Sequence, residues 1–195
     1  MHSKLCQRLI SAIALLTGLF PVSLLAIEEP KYTVLHSSDD QFEIRRYEPQ
    51  VVATTVMSGS QNNGFQVLAG YIFGGNDQEQ KISMTAPVAT TMTGAQREMT
   101  FMMPSDFSLE SLPKPLDDRV AFRSVPAYTA AVIRFSGRAN GSMAEEKWLA
   151  LQTYLDGTDW QIVGPPTLNQ YNPPWTLGFL RRNEIIVPVT ASDSQ

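Results

Sequence analysis

The sequence predicts an α+β domain in which a curved, barrel-like sheet carries two helices. Short stretches rich in β-branched residues are interrupted by two stretches with apolar residues at helical spacing. Glycines follow both helical stretches, as is usual where helices end. The pattern of the first half also returns in the second half, which indicates an internal duplication of a β-β-α-β-β unit. Two such units bury one core best when their sheets join and the helices pack on them.

The first half contains four predicted strands and one predicted helix. Residues 62–76 place Phe65, Leu68 and Ile72 at helical spacing, and Gly74 then stops the helix. The strands are predicted from alternation of apolar and polar residues or from β-branched runs, at residues 41–49, 50–59, 81–92 and 98–104.

The second half repeats this order. Residues 122–137 align with residues 45–59 and predict two strands. A helix is predicted at residues 142–157, and a strand region follows at residues 160–171. The matched positions are Arg46 with Arg123, Pro49 with Pro126, and Ala53 with Ala130. The two halves therefore span about residues 32–110 and 118–189.

The first 26 residues predict a signal peptide, because a basic start precedes an apolar stretch that is short for a bilayer span. An uncleaved membrane anchor is the alternative. Cleavage places the protein in the periplasm or outside the cell, with no membrane contact. It also removes Cys6, so the remaining chain has no thiol and relies on its core.

Charge argues against a nucleic-acid partner. The chain has 15 Lys and Arg against 19 Asp and Glu, and loss of Lys4 and Arg8 with the signal peptide leaves 13 against 19. A net charge near −6 does not provide the clustered cations that phosphate binding needs.

The sequence predicts neither a catalytic residue nor a metal site. His36 is the single histidine after the signal peptide, and no HExxH, GxSxG, P-loop or GxGxxG motif occurs. His36 ends an apolar stretch just before turn residues, so we expect it to be solvated and not to serve as a ligand.

Four ordered motifs resemble the SOUL haem-binding family. The resemblance runs from about Tyr32 to Val189. The motifs are "FEIRRYEPQVVATT" (42–55), "YIFGGN" (71–76), "KISMTAPV" (81–88) and "NPPWTLGFLRRNEIIV" (172–187). The resemblance implies a distorted β-barrel built from two β-β-α-β-β repeats with two flanking helices. The domain would cover residues 27–189, followed by a polar tail at 190–195.

The resemblance also implies haem or a related tetrapyrrole as ligand, held between the first helix and the loop at residues 171–180. Apolar and aromatic side chains suit a small flat apolar ligand, stiff prolines reduce the ordering cost, and an arginine can pair with a propionate. The predicted binding residues are Phe65, Leu68, Tyr71, Ile72, Pro173, Pro174, Trp175, Leu177 and Arg181. For the helix residues, simple core packing is the alternative, and for the arginines, ion pairs between strands.

Three functions remain open from the sequence. The first is an exported haem-binding protein that acts as carrier, buffer or scavenger through an apolar surface pocket. The second is an enzyme that modifies or degrades haem. The third is a small-molecule-sensing or protein-interaction module on the same fold, since a fold alone does not choose a function.

Overall fold

The structure, a computed structural model, describes residues 27–39, 41–57, 63–94 and 97–192. The predicted signal peptide and the last three residues lie outside this part of the chain. The described residues form ten strands: β1 (Tyr32–Ser38), β2 (Phe42–Tyr47), β3 (Gln50–Met57), β4 (Val88–Thr91), β5 (Arg97–Met102), β6 (Ala121–Val125), β7 (Tyr128–Phe135), β8 (Trp160–Ile162), β9 (Thr167–Gln170) and β10 (Asn183–Ala191). The two helices are α1 (Gly64–Ile72) and α2 (Gly141–Asp156).

All ten strands join one antiparallel sheet in the order β1-β2-β7-β10-β9-β4-β5-β3-β6, with β8 added beside β10. The α+β class with two helices is therefore confirmed. The order begins at β1 and ends at β6, and no pairing among the described strands joins these two edges. The sheet is open, so closure into a barrel is not confirmed.

Two predicted strands are shorter than expected, because prolines and side-chain contacts occupy part of each segment. Of residues 81–92, only β4 pairs as a strand, since Ile82 donates its amide to Ile72 and Thr85 donates its hydroxyl to Met102. The stretch at 160–171 is divided into β8 and β9 around Pro165 and Pro166. At the other end, β10 continues to Ala191, two residues into the predicted polar tail.

The strand pairings relate the two halves, but with a different register from the sequence alignment. Strand β2 corresponds to β6 in the other half, and β3 corresponds to β7. Strand β2 pairs with β7 and β3 pairs with β6, so the two pairings are equivalent when the halves are exchanged. Ala53 packs with α1, whereas Ala130 lies on the face without helices. Moving the alignment by one residue matches Ala53 with Ala131 and Arg45 with Arg123, and then matched side chains share a face. Because strand side chains alternate, a shift of one residue exchanges the faces completely.

Both helices cover one face of the sheet. Helix α1 packs on β3 and β5, and α2 packs on β7, β8 and β10. Asn140 caps α2 by accepting a hydrogen bond from the Met143 amide, and Gly157 follows its last residue. Among the described helices, none has the length and apolar character that a membrane crossing requires. Neither helix of the described residues lies on the opposite face of the sheet, which borders a cavity.

Candidate functional site

The predicted helix residues lie mainly in the core. Leu68, Tyr71 and Ile72 are at most 2% exposed and pack with strand residues of the first half. The Tyr71 hydroxyl donates to the Pro113 carbonyl at 3.0 Å, and burial, with the charge of Asp77, raises the pKa of Tyr71 to about 12. These three side chains fit the alternative interpretation of simple core packing, because other residues of the core already cover them.

Phe65 is the predicted helix residue that keeps an accessible surface. It is 41% exposed and meets Phe101 edge to face, with ring centroids 5.5 Å apart. Phe73, just after α1, is 63% exposed and was not predicted. The apolar surface that α1 offers to a ligand therefore consists of these two rings, at the ends of the helix.

The loop at residues 173–180, called here the apolar loop, exposes most of its large side chains. Trp175 is 82% exposed and Phe179 is 73% exposed. Leu177 and Leu180 are also exposed, whereas Pro173 is half-buried and Pro174 exposed. Four exposed large apolar side chains within eight residues are more than the singly scattered ones of an ordinary surface, which makes this loop a candidate interaction site. The predicted binding residues include Trp175 and Leu177 but not Phe179 and Leu180.

Hydrogen bonds within the chain hold the apolar loop in shape. The Arg181 guanidinium donates through Nε to the Thr176 carbonyl at 2.8 Å and through Nη2 to the Pro174 carbonyl. The Gly137 amide donates to the Gly178 carbonyl at 2.9 Å. Arg181 therefore stiffens the loop from within, and loop carbonyls occupy its Nε–H and one of the two N–H groups of Nη2.

Arg138 is the cation that the structure places beside the apolar loop. A Cβ added at Gly178 would lie 3.7 Å from Arg138 Cγ, so Arg138 is a neighbour of the loop at this residue, and its side chain is exposed. It forms no ion pair with any acidic residue in the described part of the chain. Nothing in the sequence around residue 138 indicates this position, because the contact joins the segment before α2 to a loop that follows β9.

The two parts of the predicted pocket have different neighbours. Helix α1 packs on β3 and β5, whereas the apolar loop contacts the segment at Gly137 and Arg138. The assignment of a ligand to the space between helix and loop therefore stays a prediction.

A second candidate site lies on the helix-free face of the sheet. There a cavity of about 710 Å³, called here the cleft, is bordered by strands from both halves. Tyr47 and Tyr128 stack at one side with ring centroids 5.1 Å apart and an angle of 13°. Burial raises the pKa of Tyr128 to about 12, so its phenol stays neutral at physiological pH. Apolar side chains include those of Val52, Met102, Val125, Ile186 and Pro188.

Two related ion pairs lie on the helix-free face. In the first, buried Arg45 donates to Glu184 at 2.9 and 3.2 Å, to the Tyr47 hydroxyl at 3.1 Å and to Glu43 at 2.5 Å. Burial alone would lower the pKa of Arg45, but its hydrogen bonds and the charge of Glu184 outweigh burial and raise it. Glu184 also accepts from the Tyr171 hydroxyl at 2.6 Å, which ties the base of the apolar loop to the sheet.

The second ion pair joins Arg123 and Glu98, which border the cleft. Nη1 of Arg123 donates to both carboxylate oxygens, at 2.6 and 3.0 Å. The Arg123 side chain is 53% exposed, in contrast to 2% for Arg45. The pair in one half is therefore buried, and the pair at the corresponding position of the other half is exposed.

His36 lies in β1 opposite Ile44 and is exposed. Within residues 27–39, 41–57, 63–94 and 97–192, no three His, Cys, Asp or Glu side chains come together as metal ligands. The described surfaces therefore offer apolar contact and hydrogen bonds rather than a preformed set of such ligands.

The fold and its two surfaces define a class of protein: an α+β domain with one open antiparallel sheet, two helices on one face and a cavity on the other. The model of the SOUL heme-binding protein family matches residues 27–188, and the chain belongs to that family. The family predicted from the motifs is thereby confirmed.

Individual relatives agree with this assignment. The chain is 31% identical over 145 residues to Heme-binding protein 2 of Homo sapiens, with coverage of 67% of this chain and 70% of that protein. It is 30% identical over 145 residues to Heme-binding protein 2 of Mus musculus, with the same coverage. The crystal structure of the EcmrR C-terminal domain superposes with a TM-score of 0.60 over 77% of this chain and 98% of that one. At 14% identity, the last similarity concerns the fold alone.

Proposed function

We propose that this protein binds haem on the apolar loop and acts as an exported carrier, buffer or scavenger. The observation that carries the proposal is the exposure of four large apolar side chains on one internally braced loop, in a member of a haem-binding family. Such a loop loses little conformational freedom when a ligand covers it.

The residues present fit the chemical character of haem. Trp175 and Phe179 offer aromatic surface to a flat apolar macrocycle, with Leu177 and Leu180 beside them. Arg138 adjoins the loop at Gly178 and can donate to a propionate carboxylate. When bound, haem supplies a redox-active iron. The protein's own contribution in this proposal is apolar burial and one charge-assisted contact, so we expect moderate affinity.

Replacing Trp175 by alanine should weaken haemin binding by about fivefold or more, since an aromatic contact contributes on the order of 1 kcal/mol beyond its buried area. Unfolding should be unchanged, because Trp175 is 82% exposed. Titration of haemin into the purified domain, followed by the Soret band, measures the affinity and stoichiometry.

His36→Ala is the matched control, since His36 is exposed on β1, away from the apolar loop in the strand order. It should leave the titration unchanged. Arg138→Gln should weaken binding less than Trp175→Ala and reduce its dependence on salt. Loss of the Soret change in His36→Ala with an unaffected Trp175→Ala would show that coordination by the imidazole holds the ligand elsewhere.

Export to the periplasm or the cell exterior is part of the proposal. We expect the protein isolated from its native cell to begin near Ile27, because the apolar stretch before that residue has the length of a signal-peptide core. N-terminal sequencing of the native protein measures this directly. A cytosolic protein that begins at Met1 would refute export without affecting the haem proposal.

We further infer that the two halves are copies of one ancestral unit arranged as a distorted barrel. The exchange of partners between β2–β7 and β3–β6 supports the common origin of the halves, as do the related pairs Arg45–Glu184 and Arg123–Glu98.

A further inference from the structure

We propose that the cleft is a second ligand site, separate from the apolar loop, and that it takes a drug-sized planar aromatic molecule with one anionic group. Three features of the cleft carry the proposal: its size, its aromatic wall and the unused donors of one arginine.

The size of the cleft is that of a ligand site. Protein interiors leave few voids larger than a water molecule, whereas small-molecule sites occupy about 300–1,000 Å³. The cleft, at about 710 Å³, lies within that range and is bordered mainly by apolar side chains. It also lies where the two halves of the sheet meet, since β4 pairs with β9 and both strands contribute residues to its lining.

The wall formed by Tyr47 and Tyr128 favours an aromatic body. The two rings stack on each other and pack with Ile186 on the same face of the sheet. Their positions are therefore set before a ligand enters, which lowers the ordering cost of binding. Val52 and Met102, from the first half of the chain, border the same cavity and supply further apolar surface.

The difference between the two ion pairs selects an anionic group. All three nitrogens of Arg45 donate to Glu43, Tyr47 and Glu184, so none of them is left without a partner for a ligand to bind. Arg123 uses Nη1 alone on Glu98, as far as the described residues show, which leaves Nε and Nη2. These two atoms form the edge of a guanidinium that binds a carboxylate or sulfonate in bidentate fashion.

A cationic ligand fits the same pair less well. The Glu98 side chain is 25% exposed, against 53% for Arg123, and both Glu98 oxygens already accept from Nη1. A ligand that enters the cleft therefore reaches the arginine more readily than the carboxylate. The short polar side chains of Thr100 and Asn169, which also border the cavity, are compatible with either an anionic or a neutral polar group.

The probe for the test is 8-anilinonaphthalene-1-sulfonate, and its uncharged analogue N-phenyl-1-naphthylamine reports the apolar contribution alone. Both are titrated into the purified domain and followed by fluorescence. We expect Arg123→Gln to weaken the sulfonate probe roughly tenfold, as loss of a charge-assisted contact implies, and the neutral probe less than twofold. Thr100→Phe should weaken both probes, because the larger side chain fills the cleft.

Trp175→Ala separates the cleft from the apolar loop. This variant should retain the high-affinity sulfonate site, and excess haemin should not displace the probe from it. Circular dichroism and urea unfolding confirm that each variant folds. Arg123 lies on the edge strand β6 and is half exposed, so Arg123→Gln keeps the test valid even if Thr100→Phe does not fold.

Three results would overturn the proposal: equal loss of both probes in Arg123→Gln or no loss of either, loss of the site in Trp175→Ala, or one-for-one displacement by haemin. The last result would place haem in the cleft. A protein that binds the sulfonate probe but no haemin would refute the haem proposal and leave this one standing.

Discussion

Replacing Arg45 by alanine should lower the free energy of unfolding by about 3–5 kcal/mol, the usual cost when one partner of a buried ion pair is removed. The Arg45 and Glu184 side chains are 2% and 3% exposed, so the Glu184 carboxylate would be left in a buried environment without its guanidinium. Glu184 would keep the Tyr171 hydroxyl as a donor but would lose two hydrogen bonds and its counter-charge. Urea unfolding followed by circular dichroism measures the change.

Arg123→Ala is the matched control, because Arg123 occupies the related position in the other half. Its side chain is 53% exposed, and exposed ion pairs contribute about 0–1 kcal/mol. The double variant Arg45→Leu with Glu184→Leu should recover part of the loss, since neither member of the buried pair then remains charged without the other. Recovery should be incomplete, because Glu43 and the hydroxyls of Tyr47 and Tyr171 also lose hydrogen-bond partners. Equal losses in Arg45→Ala and Arg123→Ala would contradict the contrast in burial.

Leu68→Ala should lower the free energy of unfolding by about 2–5 kcal/mol, the range for truncation of a buried leucine. Leu68 is fully buried in the core between α1 and the first half of the sheet. Haemin affinity per folded molecule should be unchanged, because the side chain has no surface that a ligand can touch. Parallel urea unfolding and haemin titration separate the two effects.

Phe73→Ala serves as the control for Leu68→Ala. Phe73 follows the same helix but is 63% exposed, so its truncation should change stability by no more than about 0.5 kcal/mol. Leu68→Ala should then lower stability without changing haemin affinity, and Trp175→Ala should lower haemin affinity without changing stability. If the folded Leu68→Ala protein binds haemin more weakly than Trp175→Ala does, α1 is part of the ligand site.

The buried ion pair also connects stability with the apolar loop. Tyr171 precedes the loop and donates to Glu184, while burial and the nearby carboxylate raise the pKa of Tyr171 and keep its phenol protonated. Arg182 follows the loop, stacks over the Tyr171 ring at 3.5 Å and pairs with Glu29. Both ends of the loop are thus anchored by contacts that Arg45 indirectly supports.

Local features of the sequence determined the elements and the family. Apolar spacing around Leu68 is enough to predict α1, because the 3.6-residue period requires only neighbouring residues. The glycine after α2 and the β-branched run in β3 are local in the same sense. The motifs determined the family, and the exposed position of His36 also followed from the turn residues beside it.

Tertiary structure alone decided what each buried face contacts. Periodicity indicates that one side of α1 is covered, but it does not distinguish a core from a ligand, and Leu68, Tyr71 and Ile72 proved to face the core. Likewise, the sequence alignment matched Ala53 with Ala130, but the structure places these two residues on opposite faces of the sheet. A shift of one residue in a strand is enough to exchange the faces.

The sequence also could not predict which arginine forms the buried ion pair, because adjacent arginines in one strand point to opposite faces. Arg45 is buried and Arg46 exposed, although both stand beside glutamates in the sequence. Arg138 and Gly178 meet only because the chain returns to the segment before α2. The cleft has the same origin: its walls come from strands far apart in sequence, and an empty volume between them has no local signature.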